Sequence, residues 1–500
     1  MRKRRSVPGK AVSTLQRTLS TSLSKNIGLF DELFRGDNTI IKRPFQSGGA
    51  HPLRCCIFYC DGMVNNGIIN ENILRPVTLW QQQQPQEGGL LLLLERRVLQ
   101  INELKHKRDV NDMVRDMLYG DTLLLCDGSD EALVLNTKGF TMRSIAEPES
   151  EQVLRGPREG FTEGILMNLS MIRRKLRTAD LKFEYLQCGE QSKTTVCLCY
   201  IEGVTDQKVL AQVRQRMEQV QIDGVLDSNY VQELIRDRPW TPFKTVGSTE
   251  RPDVVAAKLL EGRAAILVDG SPVALTVPHL FIEQFQSSED YYVGWYFAAI
   301  SRVIRVVGFL FSISVVPVYI ALITFHQEML PTPLLFSISA AREGVPFPTA
   351  LEALGLLLAF EILRESGERT PAGFGQTLSI VGGLVLGQAA VEARFISAPM
   401  VIVVAFSGIT GLMLPRVKGA VIWWRLALIL LSAWMGLLGF LMGMVWMMLH
   451  LCTLESFGVP VMRGASILTG RYKEDAYCRP PWKKMKRFGR FLAGGEGYGE

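Results

Sequence analysis

The chain has 500 residues, enough for two or three domains, with 47% hydrophobic and 21% charged residues. Its 55 Lys and Arg against 49 Asp and Glu leave a net charge of +6, too small for its length to indicate nucleic-acid binding. Charge crowds residues 1–300 and long apolar runs crowd 303–450, a division that excludes both a wholly soluble enzyme and a transporter embedded along its whole length.

Residues 1–26 are basic, with Arg2, Lys3, Arg4, Arg5 and Lys10, and are expected to be disordered. No apolar stretch follows that start, so no signal peptide is read. From 27 to 143 the pattern is mixed α/β. Arg54–Val64 is a short apolar strand ending in an Asp-Gly turn, and Asn70–Val77 reads as a helix closing before Pro76. Five leucines, Leu90–Leu94, follow the Gln81–Gln86 tract and are too few to cross a bilayer. Gly120–Thr137 reads as strand, Asp-Gly turn, strand.

A second α/β unit is predicted over 144–295. Thr194–Val204 alternates as a strand, Gln207–Gln221 has helical spacing, and Arg263–Pro278 is a strand pair around another Asp-Gly turn. Ser248 or Thr249 is positioned to cap a helix beginning near Asp253. Nine cysteines and five histidines complete no CxxC pair and no metal pattern, so no metal, cofactor or catalytic residue is assigned. P-loop, Rossmann, GxSxG and HExxH motifs are missing from the sequence, and the chain is not read as an enzyme.

The membrane half, 296–450, contains five apolar stretches. Val303–Phe325 is long enough to cross, with Pro317 inside it. Pro346–Leu363 carries Glu352 and Glu361 on opposite helix faces and reads as re-entrant, interfacial or buried. Gly375–Ala393 and Ala398–Leu414 come next, and Val421–Leu449 reads as one tilted span with Trp423, Trp424, Trp434 and Trp446 as anchors, Trp434 lying too deep for an interface. The count is four to five spans. Residues 451–500 form a basic tail in which Lys483, Lys484, Lys486, Arg487 and Arg490 favour the anionic cytoplasmic leaflet.

At helical spacing Gly375, Ser379, Gly382, Gly383 and Ala390 share one face of Gly375–Ala393, with Leu386 the only large residue at its centre. Such a face serves close helix packing, or it lines a pore in which Leu386 is a hydrophobic constriction. Glu352, Glu361, Glu365 and Glu392 lie at or near membrane depth, where ionisable groups mark function. Two readings are open: Glu361 and Glu365, one turn apart, form ion pairs with Arg342, Arg364, Arg369 or Arg394, or the acids are carboxylates around a pore mouth.

Several ordered motifs carry a resemblance. They include Asp61–Asn65, Glu147–Glu151, Arg155–Glu163, Thr249–Asp253, Glu261–Pro272, Phe325–Leu335, Arg342–Pro348, Phe360–Pro371, Ser379–Ala393 and Phe457–Pro460. With these the chain resembles, over residues 27–482, the A subunit of the GerA-type spore germinant receptors of endospore-forming bacteria. Val461, Met462 and Arg463 depart from that family's pattern. The resemblance implies a multi-pass protein of the spore inner membrane, its two-lobed α/β N-terminal domain and C-terminal tail cytosolic. It further implies a transporter-like, germinant-binding B subunit and a lipoprotein C subunit as partners. A pentameric homo-oligomer acting as a nutrient-gated cation channel completes the expectation. The rivals are a non-conducting scaffold, and an ion-coupled transporter, for which the spans are few and no inverted repeat is found.

Overall fold

A computed structural model describes residues 18–49, 52–81, 90–139, 151–153, 155–369, 383, 385, 387–463, 479 and 481–482. The chain forms two compact units, one built mainly from 1–239 and 246–278, the other from Trp240–Thr245 and His279–Lys484.

The first unit holds two five-stranded antiparallel sheets. The first lobe contains α1 (Leu23–Leu33), β1 (Ile40–Gln46), β2 (Arg54–Cys60), β3 (Leu104–Lys107), α2 (Val110–Met117), β4 (Thr122–Cys126) and β5 (Ala132–Leu135). The second contains α3 (Ile165–Lys175), β6 (Leu181–Cys188), β7 (Thr194–Ile201), α4 (Gln207–Glu218), α5 (Ser228–Ile235), β8 (Gly247–Thr249), α6 (Pro252–Leu260), β9 (Ala264–Val268) and β10 (Ala274–Val277). The sheet orders, β1-β2-β4-β5-β3 and β6-β7-β9-β10-β8, are the same topology twice.

The repeat extends to single hydrogen bonds. Asn26 binds the Ser20 amide and carbonyl at 2.8 and 2.6 Å, and Asp127 Oδ1 accepts from the Leu23 amide at 3.1 Å. A shift of one residue would destroy this pattern, yet 142 positions later Asn168 binds Thr162 at 2.8 and 2.5 Å and Asp269 accepts from Ile165 at 3.2 Å. Gly128 and Gly270 turn the chain with φ of 84° and 85°, a conformation other residues resist. The first unit is therefore a tandem repeat, which sequence alone did not disclose because most packed positions differ.

Three local expectations change. Residues 18–26, inside the stretch read as disordered, are ordered, because Asn26 and Asp127 fix the turn before α1. The helical run does not close before Pro76. Ile69–Leu74 winds as a π-helix and Arg75–Leu79 continues it, so Pro76 is carried inside the helical run. The cap of α6 is Arg251 followed by Pro252; Thr249 instead belongs to β8 and donates to Glu151 at 2.5 Å.

A buried ion pair joins the lobes. Arg173, on α3, donates to Asp37 at 2.5 Å and to Thr39 at 3.0 Å, with both charged side chains fully buried. Its guanidinium lies 4.4 Å from the Phe183 ring centroid, and the Asn38 amide donates to the Phe183 carbonyl at 2.9 Å.

The second unit is helical: α7 (Trp295–Thr324), α8 (Thr332–Arg342), α9 (Thr349–Arg369), α10 (Ala398–Leu412) and α11 (Lys418–Cys452). Among the described residues two helices, Trp295–Thr324 and Pro415–Cys452, are long and apolar enough to cross a membrane. α7 and α10 pack closely: Ser407 donates to the Ser312 carbonyl at 2.8 Å, and a Cβ on Gly308 would lie 3.8 Å from the Thr410 carbonyl. Val316, Ile320, Ala353, Leu356, Leu357, Met400, Val404 and Ile429 form the shared core.

α11 is not one tilted span. Gly436 departs from helical geometry at φ 61° and ψ −138°, and the chain folds back there. The Trp424 and Trp446 rings stand 5.0 Å apart, whereas a straight helix would separate those residues by roughly 33 Å. A Cβ on Gly439 would meet the Leu431 carbonyl oxygen at 2.1 Å, and one on Gly443 would meet Leu428 at 2.5 Å. Glycines thus let the two arms touch, as small residues do between apolar helices. The fold-back also explains Trp434, which sits two residues from the tip and is 76% exposed rather than deep in a span.

Cysteines placed at Leu428 and Gly443 should therefore oxidise to an intramolecular disulfide, read by mass spectrometry of the linked peptides. A straight helix would hold them roughly 22 Å apart and give none. In the first lobe His106 bridges Glu95 at 2.9 Å and Glu131 at 3.2 Å. Partial burial opposes its charge, but the two carboxylates outweigh that and raise its pKa above the ordinary 6.5. A raised pKa stabilises the fold fully below the unfolded value and loses that contribution as pH rises through the folded one. The His106→Gln penalty in chemical denaturation should then be larger at low than at high pH, by less than about 1 kcal/mol for so exposed a pair.

Candidate functional site

The charged residues of the apolar unit are neutralised in sets. Arg425, in the first arm of α11, is 4% exposed. It donates to Glu361 on α9 at 2.7 Å and to the Ser407 hydroxyl on α10 at 3.3 Å. Ser407 passes the contact to the Ser312 carbonyl on α7, so one polar chain ties four helices. Glu361 also pairs with Arg364, which lies 3.8 Å from Glu368, and Glu368 accepts from Lys418 at 2.7 Å.

A second set closes the opposite end of α9. Glu352, 2% exposed, accepts from the Ser397 amide at 3.1 Å and its hydroxyl at 2.8 Å, capping α10 from outside its own segment. Arg342, at the end of α8, stands 3.4 Å from the same carboxylate. The two sets are the ionic skeleton of the helical unit.

A third set stands where the chain enters α7. Asp290 binds Arg302 at 3.0 Å and Arg305 at 2.8 Å. Burial works against its charge, but Arg305 foremost, with the Ser287 amide and Arg302, holds its carboxyl below the usual range. Lys and Arg are rarely buried without a partner, and each of these guanidiniums has a carboxylate beside it.

Among known proteins, the model of the Bacillus/Clostridium GerA spore germination protein family matches residues 29–490. The chain belongs to the GerA family. Spore germination protein KA of Bacillus subtilis (strain 168) is 41% identical over 466 residues, 93% of this chain and 85% of that protein. Spore germination protein GerLA of Bacillus cereus is 35% identical over 461 residues, covering 91% and 92%. The uncharacterized membrane protein YfkQ of Bacillus subtilis (strain 168) is 38% identical over 473 residues, covering 94% and 91%. The crystal structure of the N-terminal domain of the A subunit of the Bacillus megaterium spore germinant receptor GerK3 is 34% identical, covering 53% of this chain and 98% of that one, with a TM-score of 0.43.

In this GerA-family chain the four acids singled out by sequence part company. Glu352 and Glu361 are paired within the unit, whereas Glu365 and Glu392 are exposed, bonded to Arg369 at 2.7 Å and Gln388 at 2.9 Å on their own helical turns. Of the pore-face residues, Gly375, Ser379, Gly382 and Leu386 lie outside the described residues. Gly383 is exposed, with nothing within 4 Å of an added Cβ, and Ala390 is half-buried, its carbonyl accepting from the Phe395 amide at 3.0 Å. Sequence reasoning sought partners for Glu361 among nearby arginines and missed Arg425, 64 positions away. The signal was present: Arg425 stands alone in the apolar run from Val421 to Leu431.

Glu361→Gln should destabilise the detergent-solubilised chain by roughly 3–5 kcal/mol, since it leaves Arg425 buried and uncompensated. Arg425→Met combined with Glu361→Leu should restore most of the loss, because Arg364 retains Glu368. Thermal unfolding in mild detergent checks both; an unchanged midpoint for Glu361→Gln would mean the pair is solvated.

Proposed function

We propose that the chain is the A subunit of a nutrient germinant receptor that initiates spore germination from the spore inner membrane. The observation that carries this reading is family membership over nearly the whole length, together with relatives named as spore germination proteins. A B subunit that holds the germinant and a lipoprotein C subunit are its proposed partners. In this reading the first unit and the tail are cytosolic, and the second unit is the membrane domain.

The membrane topology we favour counts the arms of α11 separately. The arms have lengths of about 27 and 24 Å at 1.5 Å per residue, close to a hydrocarbon core of about 30 Å. With α7, α9, α10 and the apolar 375–393 stretch, six crossings result, in place of four to five. An even number returns the chain to the side on which it entered. This agrees with the Phe281 amide donating to the Val461 carbonyl at 2.9 Å, on either side of the helical region.

The channel reading goes further. Several copies, five in the proposed ring, would place the small-residue face of 375–393 around an axis, with Leu386 as the constriction. Nutrient binding at the partner would open it only to the extent that binding favours the open state. Because Glu352 and Glu361 are committed to Ser397, Arg342 and Arg425, the exposed Glu365 and Glu392 are the acids available to a pore mouth. Spores carrying Leu386→Ala should release monovalent cations without nutrient, and Leu386→Trp should block nutrient-triggered release. Wild-type ion release from both variants at normal protein levels would sink the gate and favour a non-conducting scaffold.

A further inference from the structure

Residues Trp240–Thr245 belong to the helical unit and are fastened to the base of the α11 hairpin, the end away from Gly436. Thr241 Oγ1 and His450 Nε2 stand 3.0 Å apart. The buried Phe243 ring lies 6.3 Å from that of Trp424 and 6.2 Å from that of His450. The loop therefore grips both arms, Trp424 being in the first and His450 in the second. Phe243 also meets Phe281 at 5.8 Å, and Phe281 meets Phe309 of α7 at 6.1 Å. Charge marks the depth of this aromatic cluster. One helical turn before Phe309, Arg305 pairs with Asp290, and at the start of α11 Lys418 pairs with Glu368. Toward the tip the arms carry a single Lys or Arg, Arg425, and Glu361 neutralises it. The cluster thus lies where charged surface gives way to apolar surface.

At this base Trp423 and Trp446 are exposed, and Trp240, beside the gripping Thr241, is 96% exposed. Pro239 and Pro242 flank Trp240 and Thr241, and their rings fix two backbone angles, so little chain freedom is left to lose when the indole docks. Tryptophan joins a large apolar ring to one N–H donor, which suits a boundary that is apolar on one side and wet on the other. The exposed arms of α11 are the lipid-facing surface in the membrane reading, and Trp240 continues that surface at its charged edge. We propose that Trp240 is an interfacial anchor whose indole occupies the headgroup–acyl boundary of a phospholipid bilayer. It holds the 240–245 loop, and with it the base of the hairpin, at the membrane surface by apolar and dipolar contact instead of net charge. The inference rests on the reading of the second unit as membrane-embedded.

The test uses the full chain in phosphatidylcholine nanodiscs. Tryptophan emission of the Trp240→Phe variant, subtracted from that of the unsubstituted chain, isolates Trp240 among the eight tryptophans. So exposed a side chain is replaced without disturbing the packing, and equal thermal midpoints of the two chains check this. The Trp240 signal should be blue-shifted from that of indole in water, and should fall about twofold when the lipids carry bromine on acyl carbons near the carbonyl. Aqueous iodide should quench it little. The bromine effect should be the same in discs containing phosphatidylglycerol and should persist near 1 M NaCl, since screening removes only electrostatic attachment. Ready quenching by iodide with none by bromolipid would place Trp240 in water and overturn the proposal. A blue-shifted signal that neither quencher reaches would place it against protein, a second copy included, and would overturn it equally. Loss of the bromine effect in salt would overturn the apolar anchor in favour of attachment by charge. Failure of the chain to enter nanodiscs at all would instead overturn the membrane reading beneath it.

Discussion

The guanidinium of Arg425, buried among apolar helices, keeps its place beside the Glu361 carboxylate, and the helical unit is assembled around that pair. Arg425 stands in a helix arm whose neighbours along the chain are apolar. Glu361 neutralises it, and Ser407 satisfies a further donor. Since these groups come from α9, α10 and α11, and Ser407 reaches α7, shifting any of the four helices would strand a polar group. Apolar packing alone would not select one arrangement so sharply, because the hydrophobic effect is non-directional. The ion pair supplies specificity where hydrophobicity does not.

The same solution recurs at other joints. Arg173 and Asp37 lock the two lobes of the first unit, and Asp290 gathers Arg302 and Arg305 at the entry to α7. Glu352 ties the starts of α9 and α10 to the end of α8. Breaking any such pair leaves an uncompensated buried charge, so these joints are rigid over small displacements and costly to open.

The hairpin of α11 rests on backbone freedom instead of charge. Gly436 adopts a conformation that side chains resist, and Gly439 and Gly443 let the arms approach until no Cβ would fit. Two short apolar arms replace one overlong helix, and Trp434 moves from an implausible depth to an end. The repeat in the first unit likewise reuses one arrangement, an asparagine bridging the turn before a helix and an aspartate receiving its first amide, in two otherwise different lobes.

The division into a charged α/β half and an apolar helical half was legible in the sequence, because composition and periodicity follow directly from which side chains meet water. Both Asp-Gly hairpins were legible too, since their turn chemistry is local. The family resemblance was carried by local motifs. Tertiary structure decided the rest. Whether Glu361 meets Arg364 alone or also Arg425 depends on which helices lie side by side, and spacing along one helix says nothing of that. The fold-back at Gly436 was hidden because glycine in an apolar run is compatible with a straight helix; only the contact between Trp424 and Trp446 distinguishes the two. The tandem repeat was hidden because hydrogen-bond geometry survives substitutions that erase sequence likeness. Local chemistry writes the elements, and long-range pairing of buried charges and close-packed glycines chooses their arrangement.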